Sequence, residues 1–389
     1  MRSKSSMHGG KKSDSPIVAT KLTNNAASAA AESAEPRGGT KGNAIEQSTP
    51  RTQSRISVSL ALERIRQAVR QRPKEKLTAL HHHMTVDLLH VAYAALRKEA
   101  AAGVDGVTWS AYGENLEVNL RNLHQRVHRG AYRAQPSRRR YIPKPDGKLR
   151  PLGIASLEDK IVQKAVVDIL NVIYEAEFLG FSYGFRPGRG QHDALDALAV
   201  GLTKQSVSWV LDADIARFFD TVDHEWLIRF LEHRIGDRRM IHLIAKWLKA
   251  GVLEEGRITK AEAGTPQGAV ISPLLANIYL HYVFDLWAQR WRQREARSKM
   301  MIVRYADDIV VGFQYIADAK CFRADMRARL AQFALALHTE KTRLIEFGKH
   351  TAKRRADRGE RRPETFNFLG FSVLQRHMER SSVELTTVS

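Results

Sequence analysis

Apolar positions along this chain change their spacing several times, and each change marks a different element. From Ser59 onward, Leu60, Leu62, Ile65 and Val69 recur at helical spacing with Arg and Gln between them, which predicts an amphipathic helix. A second helical stripe, Val86, Leu88, Leu89, Ala92 and Leu96, begins beside Thr85 and is expected to end near Gly103. Residues 155–178 carry a third, with Ile161, Val162, Ala165, Val166, Ile169 and Leu170. Ser272 and Pro273 predict an N-cap followed by a first-turn proline, and Leu275, Ile278, Tyr279, Tyr282, Val283 and Leu286 form the apolar side of the helix behind them. Residues 207–215 alternate instead. Val207, Trp209, Leu211, Ala213 and Ile215 share one face and Asp212 and Asp214 the other, which is the period of a strand. Around 302–311, two β-branched apolar runs flank the adjacent acids Asp307 and Asp308.

That acidic pair is the most informative local feature. Two neighbouring carboxylates at the end of a buried strand repel each other unless something neutralises them, and a divalent cation does so directly. An exposed acidic turn is the alternative that spacing leaves open. From Tyr132 to Arg150 the chain is basic and punctuated by Pro143, Pro145 and Asp146-Gly147, which predicts a hairpin-like turn carrying Lys144, Lys148 and Arg150. Such a loop suits phosphate, and a solvated loop is the plainer reading.

Composition sharpens this picture. The 389 residues carry a formal net charge of +20, which favours a polyanionic partner, nucleic acid before a merely basic ribosome-associated role. Residues 1–56 hold few large apolar side chains and cannot offset their ordering entropy by burial, so a disordered basic tail is expected there. Cys321 is the single cysteine; it excludes an intrachain disulfide and a cysteine zinc site, fits a reducing, cytoplasmic setting, and is expected to be a buried or half-buried thiol on a helix. The run His81-His82-His83 is not expected to bind metal, because adjacent helical residues point apart. No apolar run is long enough to span a membrane, and the N-terminus lacks the apolar core of a secretory leader. With oxygen ligands and no cysteine cluster, the expected ion is Mg²⁺.

Seven segments occur in an order that resembles one family. They are Ile-Pro-Lys-Pro-Asp-Gly-Lys-Leu-Arg-Pro-Leu-Gly-Ile (142–154), Ser-Tyr-Gly-Phe-Arg-Pro-Gly-Arg (182–189), Asp-Ile-Ala-Arg-Phe-Phe-Asp (214–220), Gly-Thr-Pro-Gln-Gly with Ser-Pro-Leu-Leu-Ala-Asn-Ile (264–278), Tyr-Ala-Asp-Asp (305–308), Leu-His-Thr-Glu-Lys-Thr (337–342) and Phe-Leu-Gly-Phe (368–371). Together they resemble the reverse transcriptases encoded by bacterial group II introns, over about residues 75–371. Gly-Val-Asp-Gly-Val-Thr-Trp (103–109) is similar to the N-terminal extension of that family.

The resemblance implies an α+β right-hand polymerase, with fingers and an antiparallel palm sheet over residues 131–371 behind a helical extension at 57–130. Asp214, Asp307 and Asp308 are then the catalytic metal ligands, completed by the backbone carbonyl of Ile215. Phe219 matches the steric gate that favours deoxynucleotides. Lys144 and Arg150 are expected at the triphosphate, Gln267 against nucleotide and template, and Lys341 at the basic position of the sixth motif. Partners implied are an RNA template, with intron RNA expected, a DNA or RNA primer and dNTPs; assistance to intron splicing is a further implied role. Family members usually continue into a helical thumb, whereas 372–389 here is a short polar tail, so the thumb is expected to be missing or vestigial. Two alternatives stay open: an impaired truncated copy that only binds RNA, and a reverse transcriptase of another prokaryotic lineage.

Overall fold

The structure is a computed structural model that describes residues 45–143, 147, 149–259, 263–265, 268–348, 351, 355, 357–359, 364–376 and 382–387. Helices come first. α1 (Ile45–Gln71) buries Val58, Ile65 and Val69, while Leu60 is 57% exposed. The expected stripe is therefore rotated: Val58 replaces Leu60 as its inner member, and the helix begins well before Ser59. α2 (Val86–Ala95) starts where Thr85 accepts a hydrogen bond from the Leu88 N–H and ends before Leu96, earlier than the Gly103 region. The short α3 (Trp109–Gly113) and α4 (Leu116–His128) follow. Trp109 stacks on Tyr93 with ring centroids 4.6 Å apart, and its indole N–H donates to the Tyr93 carbonyl at 3.1 Å. A Cβ on Gly103 would lie 2.5 Å from Ser156 Cα, so only glycine lets this loop approach the start of the next helix.

The two strands flanking the expected basic turn pair as a hairpin, while Lys144, Pro145, Asp146 and Lys148 of the turn lie outside the described residues. β1 (Ser137–Pro143) and β2 (Leu149–Ile154) pair antiparallel, and β1 also runs parallel to β4 (Val252–Glu254), which pairs with β5 (Arg257–Thr259). α5 (Leu157–Tyr174) is the central helix, capped by Ser156 and packed against α1 and α2. α6 (Gln191–Lys204) precedes β3 (Trp209–Asp214). Next come α7 (Phe218–Thr221), α8 (His224–Arg234) and α9 (Arg238–Lys249). α10 (Ser272–Leu280) begins one residue earlier than the cap prediction, with Ser272 already helical and Ile271 flanking it. It is buried on nearly all sides rather than along one stripe, because it runs through the middle of the core.

α10 continues through a π turn (His281–Asp285) into α11 (Leu286–Arg294). β6 (Met301–Tyr305) and β7 (Asp308–Phe313) form a hairpin, α12 (Ile316–Ala331) follows, and β8 (Arg343–Glu346) completes a four-stranded antiparallel sheet in the order β6-β7-β3-β8. Leu211, Ala213, Ile302, Ile309 and Val311 enter the main core on one face of this sheet. Val210, Met301, Val303, Val310 and Ile345 enter a second cluster on the other face, with α6 and residues from β9 (Phe366–Phe368) and β10 (Phe371–Arg376). β11 (Ser382–Thr387) pairs with β10, so part of the expected polar tail is a strand. Cys321 is helical as expected but exposed, because Phe322, Met326 and Leu330 supply the inner face of α12. No helix among the described residues is long and apolar enough to cross a membrane.

Candidate active site

The alternation of β3 and the β-branched runs of β6 and β7 build one acidic corner. Val210, Asp212 and Asp214 alternate onto one face of β3. Pairing with β7 sets Asp214 directly opposite Asp308, and Tyr305 pairs with Asp308 across the β6–β7 hairpin. The turn between is tight: Ala306 takes a left-handed backbone at φ 55°, leaving Asp307 beside Asp308. Carboxylates far apart in sequence are thus neighbours, at the ~5 Å side-chain spacing of opposed strand residues.

Burial and mutual repulsion govern these acids. Burial first, then the charges of Asp307, Asp214 and Asp212, push the Asp308 carboxyl up to about 7. Asp307 is also raised, chiefly by burial and then by Asp214. Asp212 is pushed up to about 6 by burial, even with the Arg343 guanidinium 4.0 Å away. A second cation relieves the cluster: Lys341 donates to Asp214 Oδ2 at 2.9 Å, and that hydrogen bond raises the lysine above its ordinary value. With all four acids ionised, Asp212, Asp214, Asp307 and Asp308 against Lys341 and Arg343 leave two negative charges, the complement of a divalent ion. The donor set is all oxygen and suits a hard cation. Among the described residues, no three His, Cys, Asp or Glu side chains already form a cage able to hold an ion, and one oxygen of Asp214 is taken by Lys341.

Ile215 follows Asp214 and forms an isolated bridge with Leu337. The bonds of that bridge come from its neighbours, Ala216 N–H to Ala336 and His338 N–H to Asp214, so the Ile215 carbonyl is not used in it. Phe219 lies in α7, its ring 6.4 Å from Phe185 and edge-on to it. It also lines a cavity of about 210 Å³ with Arg139, Pro151, Asp220, Gly251 and Gly264, between the basic hairpin's sheet and α7. Arg150 is exposed on β2 and touches none of the acids. Lys144 and Gln267 lie outside the described residues.

Three features escape a reading by motif. Phe185 has a left-handed backbone at φ 58°, is 47% exposed, and stands between Phe219 and Tyr305, with ring centroids 6.4 Å from each. Gly184 sits so close to the acidic turn that a Cβ there would fall 2.4 Å from the Ala306 nitrogen. The third is Arg304, fully buried one residue before Tyr305. Its guanidinium bonds Asp285 Oδ1 at 2.7 Å and Oδ2 at 2.6 Å, Asn277 Oδ1 at 3.0 Å, the Ala306 carbonyl at 3.0 Å and Ser182 Oγ at 2.6 Å. The π turn adds one residue to the helical ladder at the point where Asp285 meets this arginine. A lone charge inside the apolar run Met-Ile-Val-Arg-Tyr was the signal available in sequence.

His281, in the same π turn, is buried with its Nδ1 unpaired and 3.9 Å from Asp285. Burial, the largest cause, lowers it to about 4 against the pull of Asp285. The unfolded chain therefore binds the extra proton between about pH 6.5 and 4 while the folded chain does not. The contribution of this group is complete above pH 6.5 and is lost as pH falls through that window, by of order 3 kcal/mol. His281→Gln should show a shallower fall in Tm from pH 7 to 4.5 than wild type; parallel curves would contradict this.

Comparison with known families decides what this corner belongs to. Residues 142–373, more than half of the chain, match the family model described as reverse transcriptase (RNA-dependent DNA polymerase). Group II intron-encoded protein LtrA of Lactococcus lactis subsp. cremoris is 40% identical over 222 residues, 57% of this chain and 37% of LtrA. The chain belongs to the group II intron-encoded reverse transcriptases. Protein YkfC of Escherichia coli (strain K12) is 36% identical over 297 residues, 67% of this chain and 78% of YkfC. The Putative COX1/OXI3 intron 1 protein of Saccharomyces cerevisiae is 27% identical over 351 residues, 78% of this chain and 40% of that protein. This reverse transcriptase chain thus spans less than half the length of LtrA and of the yeast relative. Its matched region begins in β1 and ends in β10, enclosing the acidic corner, Phe185, Phe219 and the Arg304 network.

Proposed function

We propose that this chain is an RNA-directed DNA polymerase that joins dNTPs to a primer 3′-hydroxyl with release of pyrophosphate. The observation that carries the reading is the strand register that sets Asp214 opposite Asp308 beside Asp307. In this reading the β6-β7-β3-β8 sheet is the palm and the β1–β2 hairpin belongs to the fingers. Asp214, Asp307, Asp308 and the Ile215 carbonyl would hold Mg²⁺, which when bound acidifies the primer hydroxyl and offsets charge on the phosphates.

The protein's own groups do the positioning. The ring of Phe219 fills the space a ribose 2′-hydroxyl needs, with Phe185 packed edge-on behind it. Lys341 holds the Asp214 carboxylate in place between turnovers through its 2.9 Å hydrogen bond. Lys144 and Arg150 present cations to the triphosphate, and Gln267 meets nucleotide and template; an Arg contact to phosphate is worth about 1.5–3 kcal/mol. The template is RNA, with intron RNA the natural one, and the same basic surface supports assistance to splicing.

The test is Mg²⁺-dependent synthesis on poly(rA)/oligo(dT) by this chain beside Asp307→Ala. Extension by wild type and loss in the variant support the proposal; equal extension by both removes it. Phe219→Ala should raise ribonucleotide incorporation relative to deoxynucleotide by about 10-fold or more, the effect of relieving a steric clash worth ~1.4 kcal/mol. Unchanged sugar selection in single-nucleotide kinetics would refute the gate.

A further inference from the structure

Segment 181–186, Phe-Ser-Tyr-Gly-Phe-Arg, carries three aromatic residues with different fates. Phe181 and Tyr183 are buried, whereas Phe185 is 47% exposed. The backbone enforces that exposure. Phe185 takes a left-handed φ of 58°, a conformation that crowds a bulky side chain against the following carbonyl and persists only where the surroundings impose it.

The surroundings do so from both sides. Gly184, before it, is buried, and the Asn277 side-chain amide donates to its carbonyl at 2.6 Å. Arg186, after it, is buried as well. Its guanidinium donates to the Glu175 carboxylate at 2.9 Å, to the Leu179 carbonyl at 2.9 Å and to the Ser182 carbonyl at 2.7 Å. Further back, the Tyr183 N–H donates to the Arg304 carbonyl and the Arg304 N–H to the Phe181 carbonyl, each at 2.8 Å. The loop is thereby fastened to β6, to α10 and to the end of α5, and Phe185 is not free to fold its ring inward.

The ring held in this way meets Phe219. The two stand at 74° with centroids 6.4 Å apart, within the range where edge-on aromatic rings attract. From the core side, the buried Phe218 approaches Phe219 with centroids 5.4 Å apart. Phe219 therefore has one aromatic neighbour in its own helix and one in a loop anchored elsewhere. Phe219 also borders the cavity of about 210 Å³, whose walls include Pro151, Leu248 and Val252 but not Phe185. Room for the Phe219 ring to turn lies away from Phe185, and the edge-on pair opposes that turn.

We propose that Phe185 is a positioning residue for sugar selection, which holds the Phe219 ring across the place a ribose 2′-hydroxyl would take. The inference rests on the reading of Phe219 as the gate. Phe185 acts through that ring and not on the nucleotide. Without it the gate ring turns toward the cavity and a ribonucleotide fits; a deoxynucleotide, which has no group at that place, depends on the ring position less. The contact of Phe185 with Tyr305, also at 6.4 Å, serves both sugars alike and drops out of their ratio.

The experiment measures binding of dTTP and of UTP, in Mg²⁺, by the full chain on an RNA template annealed to a primer that ends in a dideoxynucleotide. No bond forms on that primer, so sugar discrimination is read without turnover. Phe185→Ala should lower the preference for dTTP over UTP by about 3- to 10-fold, the factor an edge-on ring pair is worth. Phe185→Tyr keeps the ring and should keep the wild-type preference. Phe219→Ala/Phe185→Ala should match Phe219→Ala, because a residue that acts through the gate has nothing left to act on. Phe185→Gly should repeat the loss seen with alanine, and glycine takes the left-handed backbone without strain, so an alanine variant that fails to fold does not end the test. A wild-type preference in both Phe185→Ala and Phe185→Gly, beside a lowered one in Phe219→Ala, would overturn the inference and leave the gate standing. Losses that multiply in the double variant would also overturn it, since Phe185 would then meet the sugar itself. A Phe219→Ala chain with the wild-type preference, or a wild-type chain that does not prefer dTTP, would remove the gate and the inference together.

Discussion

Asp308→Asn is expected to abolish DNA synthesis and, in chelator at pH 8, to raise the melting temperature. Both effects come from the same crowding. Asp308 is the acid most strongly pushed toward its neutral form, by burial and by three neighbouring carboxylates. Folding without a cation confines these charges together, and like charges opposite each other across strands are destabilising. The isosteric amide removes one charge and keeps the shape, a gain of about 1–2 kcal/mol. On the proposed reading it also removes an oxygen ligand of the metal and the charge that ligand would supply. A loss of ~4 kcal/mol in transition-state stabilisation corresponds to about 10³-fold in rate. Primer extension and thermal melts in EDTA read the two arms. A lower melting temperature for the variant would show that the acids are not in conflict in the folded chain.

The second large effect lies beneath the corner rather than in it. Arg304→Met and Asp285→Ala should each cost about 3–5 kcal/mol, because each strands the partner charge in a fully buried site. The pair is fully buried on both sides. Arg304→Met/Asp285→Leu should recover much of that loss, since a buried ion pair is often replaceable by apolar groups. It should not recover synthesis, because the arginine's bonds to Ser182, Asn277 and the Ala306 carbonyl remain missing and these tie the acidic turn to α10. Urea unfolding of the three variants, beside single-turnover extension by the double variant, separates the roles. A double variant as active as wild type would make Arg304 a matter of stability alone.

Most helices and strands were legible because their apolar spacing is local. The stripes near Val86 and Ile161 and the alternation of 209–214 became α2, α5 and β3. What failed was the fine placement of faces. Leu60 is exposed because the neighbours of α1 sit against Val58 and Ile65, a tertiary fact that no local spacing encodes. Cys321 is exposed for the same kind of reason. At the site, the residue types were legible from the ordered motifs, but their meeting was not. Asp214 and Asp308 face each other through a pairing of distant strands whose register no hairpin turn sets. Arg304 and Asp285 were legible only as an oddity, a charge in an apolar strand and an acid in an apolar helix. The ammonium of Lys341 on Asp214 depends on the fold of 336–341 back along the end of β3, through the Ala216 and His338 bonds.

With Lys341 bonded to Asp214, one negative charge of the corner is already balanced by the chain itself. On the proposed reading, a cation taken up there would compete with the ammonium for Asp214, and the lysine side chain, 64% exposed, would have room to turn toward solvent.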